Sequence, residues 1–136
     1  MTREEVIAYI QEVEFGYLAT VDADRAPRVR PVGIKTVYGD DLYFFTFAMT
    51  RKVAEIEGSP QVEVVWSKLR EMSQVRIRGE MVLEEDPEIQ QRFKEDNPIV
   101  AKMLPPGAPD LFRLYKLQPD VVEMAMGMVP YTQVAW

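Results

Sequence analysis

Short runs of β-branched and aromatic residues, separated by turn signals, recur through most of this 136-residue chain, and that rhythm limits the fold more than any other feature. Residues 17–21 (YLATV), 28–38, 42–47 (LYFFTF), 61–66, 75–83 and 112–117 each read as a strand suited to a pleated, half-buried surface. The turn chemistry at 22–27 and at Gly39-Asp40-Asp41 is short enough to join the first three as an antiparallel meander. Val75, Ile77, Met81 and Leu83 alternate with Arg76, Arg78 and Glu80, so the fifth strand is long and half buried, with Gly79 a candidate bulge. Pro119-Asp120 reads as a turn or bulge before residues 121–125, and the tail 126–136 is apolar without a clear period. The predicted fold class is mainly β: a single domain over 1–136 forming a six-stranded antiparallel barrel, closed or nearly so, with peripheral helices. Side chains fill the inside of so small a barrel. A sizeable ligand must lie outside it or at a seam between copies, which points to a homodimer.

Helices fall between the strands. Thr2 and Glu5 have capping-box spacing, followed by Val6, Ile10 and Val13 on one helical face. Thr50 is a plausible N-cap for a short helix with Val53 and Ile56 inward, closed by Gly58 and Pro60. Asp86-Pro87 opens a helix that continues through Glu95, a second short helix runs over 97–103, and the proline-rich stretch 105–109 forms a rigid loop.

The chain contains neither cysteine nor histidine. Disulfides, thiolate nucleophiles, histidine bases, catalytic triads and His-ligated haem are therefore excluded, and only an all-oxygen metal site remains open. Demanding chemistry must come from a bound cofactor. Apolar runs of only a few residues rule out a membrane-spanning helix, and the acidic start, TREEVIAYIQEVE, lacks the pattern of a secretory signal, so a cytoplasmic location is expected. The net charge of −6 argues against a nucleic-acid partner. Yet from 25 to 52 six cations face two carboxylates, and from 68 to 78 four face one. Positive charge gathered in two windows of an acidic chain suits a small anion.

Thr50-Arg51-Lys52 is the sharpest local conflict. Helix N-termini favour negative side chains, because unpaired N–H groups and the macrodipole already make them positive. A phosphate held by those N–H groups, the Thr50 hydroxyl and both cations removes the conflict. An ordinary surface helix with solvated cations is the competing reading.

Four segments together, Arg30-Pro31-Val32-Gly33-Ile34-Lys35, Tyr43-Phe44-Phe45-Thr46, Thr50-Arg51-Lys52 and Gln74, resemble the pyridoxamine 5′-phosphate oxidase-like, FMN-binding split-barrel family, in its general stress protein 26-like branch. The resemblance covers residues 15–84 well and implies an FMN-binding homodimer with the cofactor at the subunit interface. It implies that Arg51 and Lys52 hold the phosphate with help from Arg30, that Thr46 and Thr50 add hydroxyl contacts beside Phe45, and that the backbone of Arg30, Pro31, Val32 and Gly33 lines the ring. Lys35 and Gln74 would address the ring's polar edge, with Lys35 the flavin-tuning candidate. Residues five apart on a regular strand face opposite ways, so Arg30 and Lys35 reach one ligand only if Pro31 or Gly33 breaks that strand.

The function this implies is an FMN-dependent oxidoreductase with NAD(P)H as a candidate electron donor and an unassigned small-molecule substrate. Pyridoxamine phosphate is disfavoured, because the vitamin oxidases use an arginine and histidine motif near the C-terminus and this chain reads Pro130-Tyr131-Thr132-Gln133-Val134-Ala135-Trp136 there. A flavin storage or sensor protein and an F420-dependent reductase are the alternatives. Elsewhere, Arg76 and Arg78 read as a solvated strand face, Met124, Met126 and Met128 as core or dimer seam, and Trp66 and Trp136 as buried packing.

Overall fold

The computed structural model of the chain describes residues 1–33 and 35–136. The capping box forms at the start of α1 (Arg3–Glu12): Thr2 Oγ1 accepts from the Glu5 N–H at 3.2 Å, and Glu5 Oε2 accepts from the Thr2 N–H at 2.7 Å. Val6, Tyr9 and Ile10 on its buried face join the main core.

The strands are β1 (Gly16–Val21), β2 (Pro27–Val32), β3 (Lys35–Tyr38), β4 (Asp41–Phe47), β5 (Gln61–Lys68), β6 (Ser73–Leu83), β7 (Phe112–Met126) and β8 (Thr132–Val134). They form one antiparallel sheet in the order β2-β1-β5-β6-β7-β4-β3, with β8 added on β7. The two ends of that order, β2 and β3, are consecutive in the chain. Val32 and Lys35 are three residues apart, a span the backbone covers in roughly 10 Å. The sheet therefore has to curl until its edges approach each other, which gives a split barrel with peripheral helices. The predicted strand 28–38 supplies both edges and is interrupted after Val32. Ile34, within that predicted strand, lies outside the described residues.

Gly79 and Pro119 belong to one irregularity. The β6–β7 register passes from Arg78 opposite Val121 to Gly79 opposite Pro119, leaving Asp120 as the extra residue of a bulge. A Cβ on Gly79 would stand 2.1 Å from the Gln118 carbonyl oxygen, so the bulge requires glycine there. The strands predicted at 112–117 and 121–125 are consequently one, β7. The tail without a period contributes β8, whose Val134 is buried against the main core.

That core fills the barrel with Leu18, Phe44, Val64, Trp66, Val75 and Ile77. A second cluster, Tyr43, Phe93, Val100, Phe112 and Leu114, joins β4 and β7 to α3 (Pro87–Asp96) and α4 (Pro98–Met103). Both faces of β4 are therefore covered. Phe44 turns inward to stack on Trp66, with ring centroids 6.3 Å apart, while Phe45 stacks on Phe112 at 5.3 Å. Among the described residues, no helix is long and apolar enough to cross a membrane.

Candidate functional site

The helix after β4 is α2 (Arg51–Gly58), and its amphipathic sequence sets its pose: Val53 and Ile56 pack into the barrel core, leaving Arg51 and Lys52 at its free end. Thr50 takes the extended N-cap conformation, but its side chain makes no capping bond to the helix. Its hydroxyl donates to the Phe47 carbonyl at 2.8 Å and lies 3.3 Å from the Thr46 hydroxyl. The first turn carries no acidic residue. Among the described residues, neither a side-chain cap nor a first-turn carboxylate answers the positive end of this helix.

The free end opens into a cavity of about 740 Å³, whose lining includes Arg28, Arg30, Thr50, Arg51, Lys52 and Glu55. Arg30 is anchored at its back. One guanidinium nitrogen donates to Thr20 Oγ1 at 2.7 Å and to the Leu18 carbonyl at 3.3 Å, and the other reaches Glu55 Oε2 at 2.9 Å. Thr20 donates to the same carboxylate oxygen at 2.6 Å. The Thr20 hydroxyl, and after it the Arg30 charge, hold the buried Glu55 carboxyl below the usual carboxylate range. Glu55 neutralises one cation of the cavity and leaves an excess. Burial and the neighbouring Arg30 charge in turn push the Lys52 ammonium below the ordinary lysine value, against the pull of Glu55. An anion arriving at Lys52 would relieve that crowding.

A second cavity of about 280 Å³ adjoins the first at Lys52. Pro31, Val32 and Gly33 at the end of β2, Phe45, Thr46 and Phe47 of β4, Phe15 and Met103 complete it. Its surface is mostly apolar, with Thr46 and Lys52 as the polar side chains. A charged pocket and an apolar slot therefore share one lysine, on the outside of the barrel.

Nine of the eleven residues singled out from the sequence line these two cavities: Arg30, Thr50, Arg51 and Lys52 in the first, and Pro31, Val32, Gly33, Phe45 and Thr46, with Lys52 again, in the second. Lys35 and Gln74 do not. Half-buried Lys35 donates from Nζ to the carbonyls of Val13 at 2.8 Å and Glu14 at 3.3 Å, and burial lowers its pKa. Gln74 lies on β6, three strands from β2 along one side of the sheet and three from β3 along the other, with Oε1 accepting from Arg76 at 3.5 Å. Sequence reasoning missed Phe15, Met49, Met103 and Glu55. Glu55 carried a signal, since its spacing from Arg51 and Lys52 sets it on their side of the helix. Met103 carried none, because only the packing of α4 brings it near. Among the described residues no acidic group of metal-binding geometry occurs.

Curated relatives include a pyridoxine/pyridoxamine 5′-phosphate oxidase of Roseobacter denitrificans, 37% identical over 70 residues, which are 50% of this chain and 34% of that protein. The matched segment thus spans about a third of the relative's length. Among solved structures, general stress protein 26 from Bacillus anthracis str. Sterne superposes with a TM-score of 0.74 at 23% identity, covering 96% of this chain and 97% of that one. A pyridoxamine 5′-phosphate oxidase-related, FMN-binding protein from Nostoc punctiforme PCC 73102 gives a TM-score of 0.69 at 18% identity, covering 96% and 88%. At such identities the two structures establish the split-barrel fold. The family model for pyridoxamine 5′-phosphate oxidase matches residues 2–124. With nearly the whole chain inside that match, and the fold and the cavities along β2, β4 and α2 in place, the chain belongs to the pyridoxamine 5′-phosphate oxidase family.

Proposed function

We propose that this protein is an FMN-binding oxidoreductase that works as a homodimer with the cofactor at the subunit seam. The observation that carries the reading is the uncapped, cation-bearing start of α2 opening onto a charged pocket that adjoins an apolar slot at Lys52. The residues present fit a phosphate ester of a planar ring. Arg51, Lys52, Thr50 and the first N–H groups of α2 hold the phosphate, and Arg30 adds charge while tied to Glu55. The backbone of Pro31, Val32 and Gly33, with Phe45 and Thr46, lines the slot for the ring. A bound flavin supplies the two-electron redox chemistry that the side chains of a chain without cysteine or histidine lack.

The position of Gln74 supports the dimer. It stands on the strand farthest from β2 and β3 in the sheet order, and a second copy would bring it to the ring site. Exposed Met72, just before β6, Met126, at the end of β7, and Met128, in the turn after it, lie toward the Gln74 end of this strand pair and suit a surface covered by that copy. The substrate is an unassigned small molecule, and NAD(P)H is the candidate donor.

The purified protein titrated with FMN should bind it at one site per chain, elute as a dimer, and show flavin absorbance near about 375 and 450 nm. Anaerobic NADH or NADPH should bleach that absorbance. An inert bound flavin would make the protein a carrier, and failure to bind FMN would overturn the reading.

A further inference from the structure

Phe15 belongs to no motif of the sequence, yet it lines the apolar slot. It is the junction residue between α1 and β1, and its side chain remains 49% exposed. One side of its ring rests on Gly33: a Cβ at residue 33 would stand 2.8 Å from the ring's Cε1 and 3.1 Å from Cδ1. The first of these distances is shorter than real Cβ contacts, so the ring has its seat because residue 33 has no side chain. The backbone leading into Phe15 is held as well. Lys35 donates to the carbonyls of Val13 and Glu14, the two residues before Phe15. The last turn of α1 has no basic residue of its own, so Lys35 brings the positive charge that a helix C-terminus attracts. Residues 33 and 35 thus grip the segment 13–15 twice, once through the missing Cβ and once through the ammonium.

A half-exposed aromatic ring in a slot that already holds Phe45 and Phe47 offers a planar ligand a surface to pack against. We infer that Phe15 is a cofactor-positioning residue, its free face forming the wall against which the flavin ring lies, and that Lys35 acts on the site by fixing Phe15 and not by touching the ring. The inference rests on the flavin reading above and goes beyond it, since it assigns an unassigned residue and moves Lys35 from the ring edge to its support.

The test compares FMN with riboflavin, which shares the ring and lacks the phosphate. Phe15→Ala should weaken both ligands by the same factor, roughly five- to tenfold. Phe15→Leu should recover part of the loss, and Gly33→Ala, which pushes the ring from its seat, should show a smaller loss of the same kind. Lys35→Met should weaken both ligands in the parent protein and have no further effect in the Phe15→Ala background. Arg51→Ala should weaken FMN alone. Unchanged affinities in Phe15→Ala, with FMN still lost in Arg51→Ala, would overturn the inference and leave the phosphate reading standing. An equal Lys35→Met loss with and without Phe15 would overturn the supporting role. A parent protein that binds neither ligand would overturn both readings. Unfolding midpoints of each variant separate these outcomes from misfolding.

Discussion

Two helices of this chain begin after a threonine, and they treat it oppositely. At α1 the Thr2 hydroxyl accepts the Glu5 N–H, Glu5 reaches back to Thr2, and Glu4 and Glu5 set negative charge against the positive end of the helix. At α2 the Thr50 hydroxyl turns away to the Phe47 carbonyl, and the first turn presents Arg51 and Lys52. The first helix is complete in itself. The second is left incomplete beside a cavity, at a cost in local stability that an external anion would reverse. The difference separates a helix start that serves folding from one available to a ligand.

The largest test of that contrast removes both cations. Arg51→Ala with Lys52→Ala deletes two charge-assisted contacts, each worth about 1.5–3 kcal/mol, so FMN affinity should fall by at least about 100-fold with riboflavin affinity little changed. The free protein should become slightly more stable, by a few tenths of a kcal/mol, because like charge leaves the positive helix end. An unfolding curve that moves the other way would break the comparison. In the parent, FMN affinity should decline with rising pH below the ordinary lysine value, since burial and Arg30 hold the Lys52 pKa down and the phosphate needs the ammonium form.

Next in size is Glu55, which ties α2 to the barrel through Thr20 and Arg30. Glu55→Ala leaves Arg30, only 22% exposed, without its partner and should cost about 3 kcal/mol in a denaturant titration. The pH dependence has a definite sign. The folded-state pKa of Glu55 is depressed, so its stabilisation is complete above the ordinary value of 4.5 and is lost as pH falls through the lower folded-state value. Glu55→Gln should remove that component of acid unfolding. A parent and variant with the same acid profile would show that the triad contributes nothing. Thr2→Ala, at the self-sufficient helix, should cost about 1 kcal/mol and leave FMN affinity untouched.

How far the sequence disclosed this molecule follows from the range of each interaction. Period-two alternation exposed β6, and turn chemistry exposed the meander, because both are local. The Thr50-Arg51-Lys52 conflict was equally local, so the cationic cavity at the start of α2 could be read from charge against helix polarity. The break between Arg30 and Lys35 was signalled by Pro31 and Gly33, but not that its two halves become opposite edges of one sheet, since that depends on how the seven strands from β2 to β3 are ordered. Pro119, Asp120 and Gly79 each suggested an irregularity. Their union in one bulge required the β6–β7 register. Phe15 and Met103 were silent for the same reason: a single aromatic after a helix, or a methionine at the end of a short one, has no partner until the chain folds.

The smallest effect is the most discriminating. Thr50→Ala removes a hydroxyl at the same formal position as that of Thr2, and a general rule for N-caps would assign both the same loss. Here the Phe47 carbonyl also accepts the Thr50 backbone N–H at 3.1 Å, so it stays satisfied when the hydroxyl is gone, and no helix N–H loses a side-chain cap. The cost to the free protein should be about 0.5 kcal/mol or less, well short of the Thr2 value. FMN affinity should still fall several-fold, because the hydroxyl is free to turn from a carbonyl with a second donor toward an anion at the helix start. Equal losses of stability at Thr2 and Thr50, with FMN binding unmoved, would mean that Thr50 is an ordinary cap and that the open start of α2 has no ligand to receive.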